Sequence, residues 1–358
     1  MRFCSPCCGV APESASGGEV HERELLLGLR AAGDDVHLLL ARHLPHPPAL
    51  VPCVERLPIG RGLRWYVAPF VLPRFIARCV TRHGADLLRA HSVRFLGPAC
   101  LLARRRYGLS VPVVMQLHHW EPTWATAALE RWALRHADLV VADSAFAASQ
   151  ALALGVERIR VVHCGVPPPA LPVSILVKSE RRQVLSIGPL IRRKRPEVAI
   201  RIFGHAARGR PEWHFRWVGD GPLRRRCQGL PRAVLLGRVG ELDKRRELSE
   251  AAIYLTPSRL EGFPLAVLEA MAWGVPVVAF RTASFPELVI DGVTGLLGET
   301  EAELADHVRR LIFDAPLRRK LGEAARLRVL TEFPWSKTVE GTRRAYAEAV
   351  ETYRREHP

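Results

Sequence analysis

TPSRLEGFPLAVLEAMAWGVPVVAF, running from Thr256 to Phe280, reads as loop, helix, turn and strand. Gly262 and Pro264 break the loop that carries Glu261. Pro264 suits the first position of a helix, where its missing N–H would have no acceptor anyway. The apolar run Leu265–Met271 continues the helix, and Gly274 is placed to end it. Val275–Phe280 has the β-branched, apolar character of a buried strand, with Pro276 tolerated at its start. A helix opening beside Glu261 offers unbonded N–H groups to an anion. Glu269 follows about a turn and a half along that helix. Two carboxylates so spaced suit a sugar and a ribose flanking a diphosphate. They equally suit a solvated glutamate and a capping glutamate on an ordinary amphipathic helix.

Outward from this stretch the same alternation continues. On the C-terminal side of a proline cluster, QVLSI (183–187), HFRWV (214–218), AVLL (233–236), AIYL (252–255) and VVAF (277–280) are predicted strands. Before the cluster, VHLLL (36–40), DLLRA (86–90), VPVVMQL (111–117), DLVVA (138–142) and IRVVH (159–163) are predicted strands, with a weaker one near Arg2–Cys8. Helical patterns such as Glu22–Ala32 and Leu129–His136 lie between them. Strands alternating with helices imply βαβ units and parallel sheets. The expected organisation is therefore α/β, with two doubly wound domains. The first spans 1–166, a Pro-rich linker 167–180 holds Pro167, Pro168, Pro169 and Pro172, and the second spans 181–333. A charged helix over 334–358 is expected to pack back on the first domain. Ligands in such folds bind outside the carboxyl ends of the strands, and a cleft between domains is a favoured site.

Composition bounds the function. The chain has 358 residues, 48% of them hydrophobic, which is ample for two cores. The net charge of +16 comes almost wholly from arginine, since only five residues are lysine. Such a charge attracts phosphates of nucleotides, nucleic acids or anionic lipids, and is also compatible with scattered solvated side chains. No zinc-finger, recognition-helix or RNA-binding motif accompanies it, so a nucleic-acid partner is not expected. Eight cysteines in a chain this long are not a disulfide framework. Cys4, Cys7 and Cys8 form a CxxCC group with no second pair at zinc-finger spacing, so buried thiols are expected there and no metal. No apolar leader and no run of about 18 apolar residues occurs, so a cytoplasmic protein with reduced thiols is expected.

Several strand ends carry polar groups that could do chemistry. Ser16-Gly17-Gly18-Glu19 follows the first strand and opens a helix expected over Val20–Ala32. Adjacent glycines let a ligand approach the backbone, although such a pair is often only a turn. His118 ends VPVVMQL and is followed by His119; His91 ends DLLRA. Either can donate to a sugar hydroxyl or a phosphate, or be a satisfied structural histidine. Gly188 ends QVLSI and leads into Arg192, Arg193, Lys194 and Arg195, a set suited to gripping a diphosphate. Gly219-Asp220-Gly221-Pro222 after HFRWV is a turn that can line a nucleotide.

With these residues in place, the chain resembles the retaining glycosyltransferases of family 4, which have the GT-B architecture of two Rossmann-like domains facing across a cleft. EGFPLAVLE contains the family's pair of glutamates, here Glu261 and Glu269. Supporting matches are SGGE (16–19), QLH (116–118), ADLVVADS (137–144), VGDGPL (218–223), LGRV (236–239) and FPELVIDGVTGLL (285–297). The resemblance implies a nucleoside-diphosphate sugar as donor, such as a UDP- or GDP-sugar, and no other cofactor. It implies that Glu269 bonds the ribose, that Glu261 contacts the donor sugar, and that Gly262, Phe263, Pro264 and Leu265 line the sugar or phosphate. Lys194 would hold the diphosphate, with Arg193 and Gly188 beside it and Gly219 lining the nucleotide. Gly17 and Gly18 would lie near the phosphate or acceptor, and His118 near the sugar.

The chain departs from the family pattern at several positions. Pro189 stands where an arginine is usual, Ser16 and His119 where glycine is, and Cys164-Gly165-Val166-Pro167 where Asn-Gly-Val-Asp is. Loss of the arginine leaves the grip on the donor to Lys194 and to Arg192 or Arg193. It also motivates an alternative reading as an inactive nucleotide-sugar-binding or scaffold subunit. The expected reaction transfers a hexosyl group to an acceptor hydroxyl with retention. It proceeds without metal, in keeping with the lack of an Asp-x-Asp pair, by front-face attack or through a nucleophilic Glu261. The acceptor is expected to be a glycan or a lipid-linked one. Arg61, Arg64, Arg74, Arg78 and Arg82, interleaved with Trp65, Tyr66, Phe70 and Phe75, form a candidate contact with an anionic membrane.

Overall fold

A computed structural model describes residues 1–13, 16–57, 67–169 and 181–358. The chain divides into two compact units: Met1–Cys164 together with Trp335–Pro358, and Gly165–Pro334. Most of the Pro-rich stretch expected as a linker, and Arg61, Arg64, Trp65 and Tyr66, lie outside the described residues.

The first unit is built on strands β1 (Arg2–Pro6), β2 (Asp35–Ala41), β3 (Val54–Leu57), β4 (Leu87–Ala90), β5 (Val113–Leu117), β6 (Leu139–Ala142) and β7 (Ile159–Val161). They form one sheet in the order β3-β2-β1-β4-β5-β6-β7, and every pairing is parallel. The strand period of two splits their side chains between two cores. Phe3, Leu38, Leu40, Val114 and Val141 point to one face. There they meet helix α1 (Gly17–Ala31) and the C-terminal helix, Trp335–Glu356, through Leu25, Leu26, Leu29, Tyr346 and Ala349. Cys4, Leu39, Leu88, Val113 and Met115 point to the other. That face is covered by α2 (Ala68–His83), α3 (Leu96–Tyr107), α4 (Ala127–His136) and α5 (Ala145–Ala153). Each fully buried Leu or Phe stabilises by roughly 1.5–3 kcal/mol, so both faces must be covered.

The second unit has β8 (Gln183–Ile187), β9 (His214–Val218), β10 (Ala233–Gly237), β11 (Ile253–Thr256), β12 (Val277–Phe280) and β13 (Gly295–Gly298). Their order is β10-β9-β8-β11-β12-β13, again all parallel. The helices of this unit are α6 (Pro196–Ala206), α7 (Arg224–Cys227), α8 (Glu241–Glu250), α9 (Leu265–Ala272), α10 (Phe285–Leu288), α11 (Glu301–Phe313) and α12 (Ala315–Glu332). The C-terminal helix of the first unit completes the series as α13 (Trp335–Glu356). One core of the second unit gathers Phe203, Phe215, Trp217, Leu255, Val278 and Leu311.

In both sheets the strand order runs outward in one direction and then reverses. The reversals lie between β1 and β4 and between β8 and β11. At such switch points adjacent loops diverge and open a crevice at the strands' carboxyl ends.

Three details differ from expectation. Helix α1 begins at Gly17, not Val20, so the paired glycines form its first turn. Pro264 is the N-cap of α9, one place before the first helical residue, with extended backbone (ψ 102°). The strands β3 and β13 were not expected at all; VERL is a short charged edge strand, and GLLG has a glycine at each end. The eight cysteines are all thiols, with Cys4 and Cys7 buried in the cores. Among the described residues no helix is long and apolar enough to cross a membrane.

Candidate functional site

At the switch point of the second unit, β8 ends at Ile187 and the chain turns through Gly188 into a short 3-10 segment, Arg192–Lys194. The turn is tight. A Cβ at Gly219 would lie 2.1 Å from the Gly188 carbonyl oxygen, and Gly219 has φ 130°, so both sterics and backbone require glycine. Trp217 Nε1 donates to the same Gly188 carbonyl at 2.8 Å. The stem of Lys194 packs over Gly188, whose added Cβ would lie 3.2 Å from Lys194 Cε. Gly188 and Gly219 thus shape the loop that aims the cations.

Those cations converge on Glu261. Arg193 Nη1 donates to Glu261 Oε2 at 2.8 Å and to the Leu260 carbonyl at 2.9 Å. Lys194 Nζ lies 2.8 Å from Glu261 Oε1. Burial by itself would push the Glu261 carboxyl up, but Lys194 and Arg193 outweigh it and hold it below the usual range. Ser284 fixes the Glu261 backbone by donating to its carbonyl at 3.0 Å. Arg195 turns away to Glu301 (2.6 Å), and Arg192 is exposed. Pro189 supplies no charge, yet two cations remain at this crevice.

Beyond Glu261, Gly262 and Phe263 are buried and α9 starts. The N–H groups of Val267 and Leu268 bond the Pro264 carbonyl at 3.0 and 3.3 Å. Those of Leu265 and Ala266 precede the first helical bond and have no acceptor within the helix. Glu269, a turn further, is paired with Lys244 of α8 at 2.8 Å, and Lys244 also reaches Glu241 at 2.9 Å. Burial raises the Glu269 carboxyl above its ordinary range, and Lys244 opposes without overcoming it. A small cavity of about 40 Å³ lies beside this pair, lined also by Val166–Pro169 and Trp273. Lys244 was not expected as a site residue; in the run ELDKRRELSE it reads as one charge on a solvated helix.

The switch point of the first unit is built differently. Arg89 on β4 is fully buried and bidentate to Glu22 of α1, at 2.5 and 2.6 Å. It also donates to the Tyr346 hydroxyl of α13 at 2.5 Å and to Ser5 at 3.2 Å. His91 Nδ1 lies 2.9 Å from Glu22. Burial would raise the Glu22 carboxyl, but Arg89 and then His91 hold it well below its usual range. His118, at the end of β5, bonds through Nδ1 to Asp143, which also accepts from Gln116 Nε2 at 2.6 Å. Burial disfavours the His118 cation, but Asp143 prevails and raises its pKa. His118 makes edge-on contacts with His21 and His91, at centroid distances of 5.3 and 5.6 Å. A Cβ at Gly17 or Gly18 would meet nothing within 4 Å among the described residues. Packing therefore gives no reason for these two glycines.

The structure thus brings Gly188, Arg193, Lys194, Glu261 and the start of α9 together, with Glu269 farther along the same helix. His118 belongs to the first unit's set and is half-buried there. Glu22, Arg89, Asp143 and Tyr346 were not expected; only Asp143, inside ADLVVADS, carried a sequence signal.

Residues 15–168 match the family model Glycosyltransferase Family 4, and residues 181–314 match Glycosyl transferases group 1. The chain is 29% identical to an alpha-maltose-1-phosphate synthase of Mycolicibacterium smegmatis, across 97% of this chain and 99% of that protein. It superposes on a sucrose-phosphate synthase from Thermosynechococcus elongatus with a TM-score of 0.79, at 22% identity, covering 98% of this chain and 100% of the other. The Anabaena protein HepE, solved in complex with UDP, superposes with a TM-score of 0.75 at 19% identity, covering 97% and 99%. At these identities the two superpositions establish the shared fold.

Proposed function

We propose that this chain, which belongs to the family 4, group 1 glycosyltransferases and has their GT-B fold, moves a hexosyl group from a nucleoside-diphosphate sugar to an acceptor hydroxyl with retention and without metal. The observation that carries the reading is the convergence of Lys194 and Arg193 on Glu261, each at 2.8 Å, at the switch point beside the start of α9. As the glycosidic bond lengthens, negative charge grows on the departing diphosphate. Fixed cations and helix N–H groups stabilise that charge more than they stabilise the ground state, which lowers the barrier. The amides near Leu265 add to this stabilisation.

Glu261 is assigned to the donor sugar and orients the two cations. Glu269 is assigned to the ribose hydroxyls, with Lys244 keeping its carboxylate in place. By the family resemblance His118 contacts the sugar, and Gly17 and Gly18 leave room for phosphate or acceptor. Their lack of packing neighbours among the described residues supports that room. The phosphate leaving group takes the acceptor proton in a front-face attack. Pro189 removes one cation; Lys194 and Arg193 make up the grip, which favours an active enzyme.

For the acceptor, α2 carries Phe70 (79% exposed), Arg74, Arg78 and Arg82 at four-residue spacing, all facing solvent. A stripe of one aromatic and three guanidiniums suits an anionic bilayer and hence a lipid-linked or envelope glycan, made at the inner face of the cell membrane.

The test is turnover of UDP-, GDP- and ADP-sugars in the presence of EDTA, with the product's anomeric configuration read by proton NMR. Transfer with retention, abolished by Glu269→Ala, is expected. Inversion, dependence on metal, or no turnover of any nucleotide sugar would reject the corresponding part of the proposal.

A further inference from the structure

Three side chains of the first unit bring ligand atoms within 4.8 Å of one another: His21 of α1, Asp143 just after β6, and Cys164 at the end of the Met1–Cys164 segment. Their exposures are 2%, 1% and 2%, so they lie out of bulk water. Among the described residues, neither ring nitrogen of His21 has a hydrogen-bond partner. A buried imidazole normally bonds through at least one nitrogen, because burying an unpaired polar group is costly. His21 is thus a buried imidazole that other described residues leave unbonded, and the atoms grouped with it are a carboxylate oxygen and a sulfur.

We propose that His21, Asp143 and Cys164 form a binding site for a borderline-soft divalent cation of the zinc class. One nitrogen, one oxygen and one sulfur donor match zinc and cobalt, and poorly match magnesium or calcium, which take oxygen ligands. One carboxylate and one thiolate neutralise a divalent ion, so no net charge is buried. The second sphere is already built. Asp143 is held by Gln116 at 2.6 Å and by His118, which fixes its orientation.

In the metal-free chain the Cys164 thiol is hydrogen-bonded to Asp143. On binding, the sulfur–metal bond replaces the S–H bond and the proton leaves to solvent. Cys164 is also where this sequence departs from the family's usual asparagine, so the sulfur donor is a feature of this chain. The site does not depend on the sugar-transfer reading.

The test uses the full chain, reduced and metal-free, titrated with Co²⁺ alone. A thiolate-to-cobalt charge-transfer band saturating at one ion per chain is expected, and Zn²⁺ should bleach it. Cys164→Ser should abolish the band while leaving the melting temperature of the metal-free protein near wild type. Cys164→Asn, which restores the family's residue, should do the same if serine perturbs folding. His21→Ala should weaken cobalt binding roughly tenfold or more. Absence of the band in the wild-type chain would overturn the proposal. So would a band that survives the Cys164 variants, which would place cobalt at another thiol such as Cys79 beside Glu55 and His83.

Discussion

The two units share a strand order apart from the extra edge strand β7 of the first, and each sets a glutamate against cations at its switch point, yet the two ion pairs differ in burial. In the first unit both Glu22 and Arg89 are fully buried. In the second, Glu261 is buried but Lys194 and Arg193 keep 15% and 24% of their side-chain surface. A sealed pair spends its Coulombic attraction on desolvation and has no donor left for a ligand. A pair at the rim leaves N–H groups that a phosphate can share. The same chemistry is therefore sealed in one unit and partly open to solvent in the other. What separates them is the cover over the first pair, where α13 lays Tyr346 on Arg89.

Variants can break or sharpen this contrast. The largest expected effect is on stability. Glu22→Gln strands a buried guanidinium and should destabilise by about 3–5 kcal/mol in urea unfolding. The pair's pH dependence has a defined sign. Because the folded-state pKa of Glu22 is depressed, its contribution is complete above the unfolded value of about 4.3 and is lost as pH falls through the folded value. The acid limb of the stability profile should flatten in Glu22→Gln. Next, Lys194→Ala should lower kcat/KM by roughly 10²–10³-fold with little change in the unfolding midpoint. An equal loss of stability in both variants would erase the contrast. Gly219→Ala forces a Cβ into the Gly188 carbonyl at positive φ and should cost about 1–3 kcal/mol, measured by thermal unfolding. It should also weaken donor binding, by displacing the loop that carries Lys194. The smallest effect is expected at an exposed pair: Glu348→Gln, opposite Arg160, should change stability by less than about 1 kcal/mol.

Much of the frame was legible in the sequence because local patterns sufficed for it. QVLSI, HFRWV and VVAF match β8, β9 and β12 at both ends, since each sets β-favouring apolar residues in a short stretch between breaks. The convergence on Glu261 was legible because Gly188, Lys194 and the start of α9 follow strand ends, which doubly wound folds gather on one side of the sheet. The edge strand β3 was missed because half of VERL is charged, and β13 because its glycines weaken the strand signal. The glycines at the start of α1 concealed its first three residues, Gly17 to Glu19, for a related reason: glycine disfavours helix by about 1 kcal/mol. The buried network was out of reach. Arg89 and Tyr346 are 257 residues apart, and Glu22 in an amphipathic helix looks like any solvated acid. Partnership across the fold, as for Lys244 and Glu269, depends on which helices pack together, and no local pattern records that.

The central claim is that the Lys194–Arg193–Glu261 cluster grips a diphosphate. It is tested most directly by calorimetric titration of UDP and GDP into the wild-type chain and Lys194→Ala. The account predicts that at least one of these nucleotides binds, one per chain, and that Lys194→Ala weakens it at least tenfold, about 1.4 kcal/mol. Equal affinity in the two proteins, or no binding of either nucleotide to the wild-type chain, would contradict it.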